Sequence, residues 1–356
     1  MSEMTGRERV LAALRREQPD RVPYVETQIH ERVGLQLLGL PLPPHLMAGA
    51  AATVNEDELV QCGSFLESSY YPEKEIADHL EMDGHGAYLF VHLEVDQGET
   101  EGHTMVSGGR LRTRADLQRV RLPDPDDPAL YDPYRQFIAR HRESGRALFC
   151  FTNLASDPAI LGMGLKRFAT MIYDDRAFVE ETLELYGRWQ ARAVHHLSRL
   201  GFDFLWLADD IAFKTGPFIS PKLFRELLLP HYRRVAEQVT VPWIFHSDGN
   251  VGPILDDLLT LGMQGLHPLE PDAMDLAGIK RRYGDRLCLC GHISMDALGQ
   301  GPPERVDTLV REAIAVAGPN GGYICGSANS IAYYLLPDNV RAMARAVKKY
   351  GRYPLA

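Results

Sequence analysis

The chain is poor in cysteine, with five in 356 residues and none in CxxC or any other paired spacing. A disulfide framework is therefore excluded, and a thiol-reducing cytoplasm is the expected location. Long apolar runs are missing as well. No membrane span is expected, and no basic-then-apolar leader opens the chain. Basic residues are in deficit: Lys and Arg number 38 against 48 Asp and Glu, a formal charge of −10. That balance argues against nucleic acid or anionic membranes as partners. No glycine-rich dinucleotide turn follows an early strand. GPNGGY precedes a strand and reads as a turn, not a phosphate cradle. Internal repeats and low-complexity tails are absent too. What remains is a globular composition, 45% hydrophobic and 24% charged, long enough for one large barrel or two ordinary domains.

Local signals divide this length into alternating elements. Thr5 and Glu8 have capping-box spacing ahead of the stripe Val10, Leu11 and Leu14. Asp174 and Asp175 start a helix with the stripe Phe178, Leu185, Trp189, Ala193, Leu197 and Leu200, and Gly201 stands where it should stop. Ser220 and Pro221 open another, which Pro230 should kink or split. Further helices are expected from about Val251 to Leu261, with Gly262 as stop, and over Asp275–Tyr283, Pro303–Ala317 and Pro337–Tyr350. Between them lie strands near 21–27, 86–93, 147–152, 203–208, 242–246, 263–267, 286–291 and 321–325. They are nearly all apolar, as parallel strands covered on both sides must be. Eight such strands predict a single-domain α/β protein over residues 1–356, a (β/α)8 TIM barrel. A hairpin and an acid- and proline-rich connector would form an insertion near 94–135, the hairpin at VSGGRLRTRA. Cys288 and Cys290 alternate along one strand and should be small buried residues on one face. Met163 with Gly162 and Gly164 reads as a loop, and His195 with His196 as surface or packing residues.

In a parallel barrel the residues after each strand converge on one rim. Here they are Glu26 and Thr27, His92, Thr152 and Asn153, Asp209 and Asp210, His246 and Asp248, His267 with Glu270, Gly291 and His292, and Ser327 and Asn329. Almost every end offers a group that can ligate or move a proton. One such residue alone is more often a helix cap, as Asn250 should be, or a satisfied polar side chain.

Beyond these patterns, RERVLAALRREQPDRVP, the Asp pair after the fourth strand, SPKLFRELLLPHYRRV, HSDGN, YGDRLCLCGHIS and GSANSIAYYLLPDNVRAM occur in order along almost the whole chain. Together they resemble the uroporphyrinogen decarboxylase superfamily, on the side of its divergent methyltransferase-like branch. The resemblance implies a (β/α)8 barrel with its site at the strand carboxyl ends and a possible homodimer. Two activities are implied: cofactor-free decarboxylation of a polycarboxylate tetrapyrrole, or methyl transfer involving corrinoid proteins, thiols or folates, usually with zinc. The chain departs from both patterns. No Arg-Gln-Ala-Gly-Arg segment stands near the first strand. Where the thiol-activating methyltransferases carry His-x-Cys, this chain has His246, Ser247 and Asp248, and its last turn has Asn329 in place of a Cys or His.

Charge separates the two activities. Glu26, Asp209, Asp210, Asp248 and Glu270 crowd the expected rim, with Lys214 the nearest base. A polycarboxylate would meet like charge there, whereas a divalent cation or a neutral or cationic substrate would not. The expected function is metal-assisted methyl transfer from a small methylated ether or amine to a corrinoid protein or another one-carbon acceptor. His246, Asp248 and Glu270 are the expected zinc ligands; Asp209, Asp210 and Asp248 the expected catalytic groups; Glu26, Asn153, His267, His292 and Asn329 the expected substrate contacts. The alternatives are a cofactor-free decarboxylase of a small acid or tetrapyrrole, and a barrel that binds a corrinoid protein or small ligand without turnover.

Overall fold

The structure is a computed structural model and describes residues 3–43, 74–91, 93–100 and 103–355. In chain order its strands are β1 (Gly84–Leu89), β2 (Val95–Thr100), β3 (His103–Gly109), β4 (Ala147–Asn153), β5 (Phe204–Ala208), β6 (Ala212–Phe213), β7 (Gly216–Pro217), β8 (Trp243–His246), β9 (Gly265–His267), β10 (Cys288–Ile293) and β11 (Tyr323–Ser327). Seven of them form one all-parallel sheet in the order β1, β4, β5, β8, β9, β10, β11. The pairs β2–β3 and β6–β7 are small antiparallel ribbons.

Each strand of the curled parallel sheet carries apolar side chains on both faces, as a sheet covered on both sides must. Inward, Tyr88, Phe149, Phe151, Phe204, Trp206, Ile244, Cys288, Cys290 and Ile324 make one buried cluster. Outward, residues such as Leu148, Cys150, Leu205 and Leu289 pack in a second, larger cluster with the surrounding helices. The thiols of Cys288 and Cys290 thus belong to the interior packing, as their alternation implied. The helix Gly6–Leu14 has the expected Thr5–Glu8 capping box and sends Val10, Ala13 and Leu14 into the inner cluster. Its Arg7 amide bonds Gly145, just before β4, so this helix covers the amino ends of the strands and leaves the carboxyl ends open.

Among the described residues the parallel sheet has seven strands where eight were expected. The segment 21–27 makes single bridges: Tyr24 opposite Cys325, with Val25 N–H donating to Cys325 O at 3.1 Å and Cys325 N–H to Pro23 O at 2.9 Å. On its other side, Asp83 N–H donates to Tyr24 O at 2.8 Å. Pro23 has no N–H to extend a ladder, so the contact does not grow into a regular strand. β1 begins at Gly84, earlier than its apolar pattern indicated. Gly84 and Gly86 weaken a strand by propensity, yet a Cβ at Gly86 would lie 2.3 Å from the Phe149 ring, so the interior requires glycine there.

The hairpin comprises residues 95–109, so VSGG is its second arm rather than its whole, and RLRTRA leads instead into a turn capped by Thr113. Gly162 and Met163 close the helix Asp157–Met163, with Gly164 at φ +76°; the loop expected there is helical. Pro230 does split its helix: a π-helical turn, Phe224–Leu228, precedes Leu229–Ala236. No described helix is long and apolar enough to cross a membrane.

Candidate active site

The carboxyl ends of the strands form a polar tier above the aromatic interior. Cross-strand register places Asn153 beside Ala208, Ala208 beside His246, and His246 beside His267. These residues continue the inward rows of Phe149 and Phe151, Trp206, and Ile244. At this level the chain leaves β5 through Asp209 and Asp210, and β8 through Ser247 and Asp248.

Three side chains converge there. His246 Nε2 lies 3.8 Å from Asp210 Oδ1 and 3.7 Å from Asp248 Oδ1. One ligand atom from each of the three falls within 4.8 Å of the others. The loops hold this geometry by backbone bonds: Asp248 N–H donates to Asp210 Oδ1 at 2.8 Å, and Gly249 N–H to Glu270 Oε2 at 2.7 Å. Asn329, from the turn after β11, donates Nδ2–H to Asp248 Oδ2 at 2.6 Å. The other oxygen, Asp248 Oδ1, is buried with no hydrogen-bond partner among the described residues. Loss of water, then Asp210 and Glu270, push the Asp248 carboxyl up to about 8.

His246 is buried, and burial pulls its imidazole below the ordinary value. Its Nδ1 lies 2.7 Å from Nδ1 of His267, and the two rings stack with centroids 4.9 Å apart. Burial, and then the neighbouring His246, drive the His267 imidazole well below its usual range. It presents an edge to Trp206, the ring centroids 4.8 Å apart.

The other expected residues stand outside this three-residue group. Asp209 faces away from the group: its carboxylate accepts the amides of Ala155, Ser156 and Asp157 and the Ser156 hydroxyl, at 2.5 to 3.0 Å. Glu270 stands outside the three-residue group and fixes the Gly249 turn; Asp210 occupies the third position. Glu26 is buried against β11, where Ser327 donates Oγ–H at 2.5 Å and N–H at 3.2 Å, and desolvation raises its carboxyl to about 7. His292, at φ +92°, bonds Leu269 O at 2.7 Å and does not join the group. Asn153 is buried, and its Oδ1 has no partner among the described residues. His92 lies outside the described residues. Lys214 is exposed and paired with Asp272 at 3.1 Å, leaving the mouth with its acid surplus. Asn250 is not the N-cap expected of it: Val251 holds that position, and Asn250 instead accepts Gly252 N–H at 2.9 Å across a tight turn; His195 and His196 pair with Gln238 and Asp126.

Two contributors escaped the sequence reading. Asp157 accepts the Asp210 amide at 3.0 Å, and its carboxyl is raised well above the usual range by burial and by Asp209 and Asp210. In sequence it sits in Ser156-Asp157-Pro158, where helix-start preference alone explains an acid. Ser247 accepts the Ile211 amide at 3.1 Å and ties the β5 and β8 exits together.

The donor set fits a divalent cation. Tetrahedral zinc with bonds near 2.0–2.1 Å separates its ligand atoms by roughly 3.3 Å, so distances of 3.7 and 3.8 Å need only a small closure. The partnerless Asp248 oxygen and the buried imidazole are groups that a cation would satisfy.

A curled parallel sheet whose carboxyl ends gather an imidazole, carboxylates and an amide places the chain among the α/β proteins with their site above the strands. The chain belongs to the uroporphyrinogen decarboxylase (URO-D) family, whose model matches residues 93–350. Among curated relatives, a methylated-thiol–coenzyme M methyltransferase of Methanosarcina mazei is 28% identical over 177 residues, 49% of this chain. The chain spans 44% of that relative's length. A uroporphyrinogen decarboxylase of Methylococcus capsulatus is 24% identical over 254 residues, 68% of this chain and 70% of the relative. In structure, a methyltransferase from Methanosarcina mazei matches with a TM-score of 0.71 at 21% identity, covering 98% of this chain and 99% of that one; the two share a fold.

Proposed function

We propose that this protein transfers a methyl group from a small methylated compound, an ether or amine, to a corrinoid protein or another one-carbon acceptor. His246, Asp210 and Asp248 would hold zinc or a similar divalent cation. The observation that carries this reading is the convergence of those three side chains at one mouth, with one buried carboxylate oxygen still lacking a partner. The described cysteines Cys150, Cys288, Cys290 and Cys325 are all buried away in the packing, so the donors are imidazole and carboxylate. A methyltransferase among the curated relatives supports the same direction.

A bound cation supplies Lewis-acid polarisation of the leaving oxygen or nitrogen. The protein's own groups do the rest. Asn329 holds Asp248 in one rotamer, and Asp157 and Ser247 anchor the two loops that set the spacing. Asn153 accepts a hydrogen bond from the substrate over the small Ala208 side chain, which leaves room between Asn153 and His246. The surplus of acids excludes polycarboxylates by like-charge repulsion in a partly dry cleft. We further infer that residues 22–26 complete an eight-membered ring between β11 and β1, since backbone bonds join them to both.

Metal analysis of the purified protein tests the centre: close to one equivalent of zinc is expected, and His246→Ala should lose it. Less than a tenth of an equivalent, unchanged in His246→Ala, removes the cation. Methylation of a reduced corrinoid by candidate methyl ethers and amines tests the reaction. One observation favours a second reading, decarboxylation of a small acid: at about 8, the Asp248 carboxyl keeps a proton that a carbanion could take. Carbon dioxide release undiminished by a chelator would select it.

A further inference from the structure

Ser327 has one hydroxyl proton and two acceptors for it. Its Oγ lies 2.5 Å from Glu26 Oε2 and is also in hydrogen-bond contact with Asn329 O, two residues further on. A carbonyl never donates, so the Asn329 bond needs the Ser327 proton. An ionised Glu26 carboxylate needs the same proton. Both contacts are satisfied together only when Glu26 is a carboxylic acid, which donates to Ser327 Oγ and frees the Ser327 O–H for Asn329 O. When Glu26 is ionised, Ser327 turns to the carboxylate and the Asn329 carbonyl loses that donor.

The turn affected is the one that reaches the mouth. Ser330 N–H donates to Asn329 Oδ1 at 2.6 Å, which orients the amide so that Nδ2–H faces Asp248 Oδ2, also at 2.6 Å. The rest of the turn hangs on the segment that carries Glu26: Ile331 N–H donates to Gln28 O at 2.8 Å, and Ser330 Oγ–H to Gln28 Oε1 at 3.1 Å. Glu26 thus reaches Asp248 through Ser327 and Asn329, with no bond of its own to the three-residue group.

We propose that Glu26 is a positioning residue: with its proton it fastens the Asn329 turn through Ser327, and without it the turn loosens and Asp248 is held less firmly. Glu26 is the only buried glutamate among the described residues. Facing it are the Tyr24 hydroxyl of its own segment, the Cys325 thiol of β11 and, along the cleft it shares with β1, His85 and the Tyr88 hydroxyl. No described Lys or Arg lines that cleft, so no cation offsets the loss of water around the carboxylate, and its ionisation falls at about 7. The consequence for a bound cation rests on the metal reading, but the switch itself is a property of the cation-free protein.

Two spectra of the unmutated, cation-free protein test the switch. Infrared spectra with 13C-labelled glutamate separate a glutamic acid C=O band from those of buried Asp carboxyls; the band should be present at about pH 6 and largely gone by about pH 8. Asn329-Ser330 is the only Asn-Ser pair in the chain. Protein labelled with 13C-carbonyl Asn and 15N-Ser therefore gives one NMR signal, from the carbonyl that Ser327 bonds. It should shift with the same midpoint. In Glu26→Gln, whose side-chain N–H can serve Ser327 at every pH, it should keep its low-pH position. Zinc affinity, measured by competition with a chelating dye, should match between wild type and Glu26→Gln at about pH 6. At about pH 8 the wild type should be roughly tenfold weaker, the low end for loss of a supporting contact. Titration of the ligands themselves is common to both proteins and cancels in the ratio. Absence of the glutamic acid band at about pH 6 overturns the proposal, as does an Asn329 carbonyl that stays put while the band disappears, and neither spectrum needs a variant to fold. An affinity ratio that is the same at both pH values overturns it too. If both spectra behave as expected but the protein takes up no zinc, the switch stands and the metal reading fails.

Discussion

Asp209 and Asp210 are neighbours in the chain with opposite surroundings. At the end of β5 successive side chains point to opposite faces, so one carboxylate turns into the loop 155–157 and the other toward His246. Asp209→Ala would leave the buried amides of Ala155 and Ser156 and the half-buried amide of Asp157 without their acceptor, and leave the Ser156 hydroxyl only Tyr232. It should cost roughly 3 kcal/mol or more in denaturant unfolding. Asp210→Ala removes one backbone bond, to Asp248 N–H, and should change stability by about 1 kcal/mol or less while abolishing tight zinc binding. Calorimetry on both variants distinguishes the two roles. The sequence displayed the pair but not this division, because a carboxylate that anchors a loop and one that faces the mouth look alike until the third dimension is known. Glu26 makes a separate point. Its carboxyl is raised from 4.5 to about 7, chiefly by desolvation. Between those values the folded state binds the extra proton, so stability falls as pH rises through that window and levels off above it. The contribution is on the order of 3 kcal/mol. Glu26→Gln should flatten this stretch of the unfolding free energy against pH; an unchanged slope would show that Glu26 titrates normally.

At the scale of elements, what was legible had strong local causes. The helices Pro303–Ala317 and Pro337–Tyr350 appear with the expected bounds, since proline starts and apolar stripes agree. Most strands were located by their apolar runs, and their ends delivered His246 and Asp248 to one place. What was not legible depended on partners distant in sequence. Gly86 looks hostile to a strand until Phe149 fills the space above it. The first hairpin arm, VDQGET, has no apolar alternation to announce it. The turn after β8 shows how an element positions chemistry. Gly249 has φ +80°, and a Cβ there would stand 2.5 Å from Ala212 O in the β6–β7 ribbon. Asn250 N–H bonds Phe213 O of the same ribbon at 2.8 Å. Gly249→Ala should therefore push the turn off the ribbon and carry Asp248 with it. A stability loss of roughly 1–3 kcal/mol is expected, with zinc affinity down at least about tenfold, the low end for loss of a supporting contact. Wild-type affinity in a folded Gly249→Ala protein would show that the turn tolerates displacement.

At the scale of the molecule, the seam between β11 and β1 carries the architecture. The seven strands are joined by ladders, but residues 21–27 meet their neighbours through isolated bonds. Compensation comes from a buried charge network. Asp83, just before β1, accepts Tyr24 N–H at 2.8 Å, Arg9 Nη1–H at 3.0 Å, and two bonds from Arg21 at 2.8 and 2.9 Å. Arg9 also reaches Asp20 at 2.6 Å. One carboxylate thus fastens the covering helix, the seam segment and the first strand. A charge cluster of this kind contributes little net stability when intact, but losing one member strands the others without water. Asp83→Ala should cost roughly 3–5 kcal/mol. The loss should be local in its first signs: the amides of Val25 and Cys325, which bond across the seam, should exchange faster than those of β4 and β5. Because the mouth lies at the opposite end of the strands from Asp83, zinc should still bind the folded fraction. At 100 times its dissociation constant it would return about 2.7 kcal/mol of the lost stability. Uniform acceleration of exchange across all strands would mean that the seam opens only with the whole sheet, and that residues 21–27 are as integral to it as any ladder.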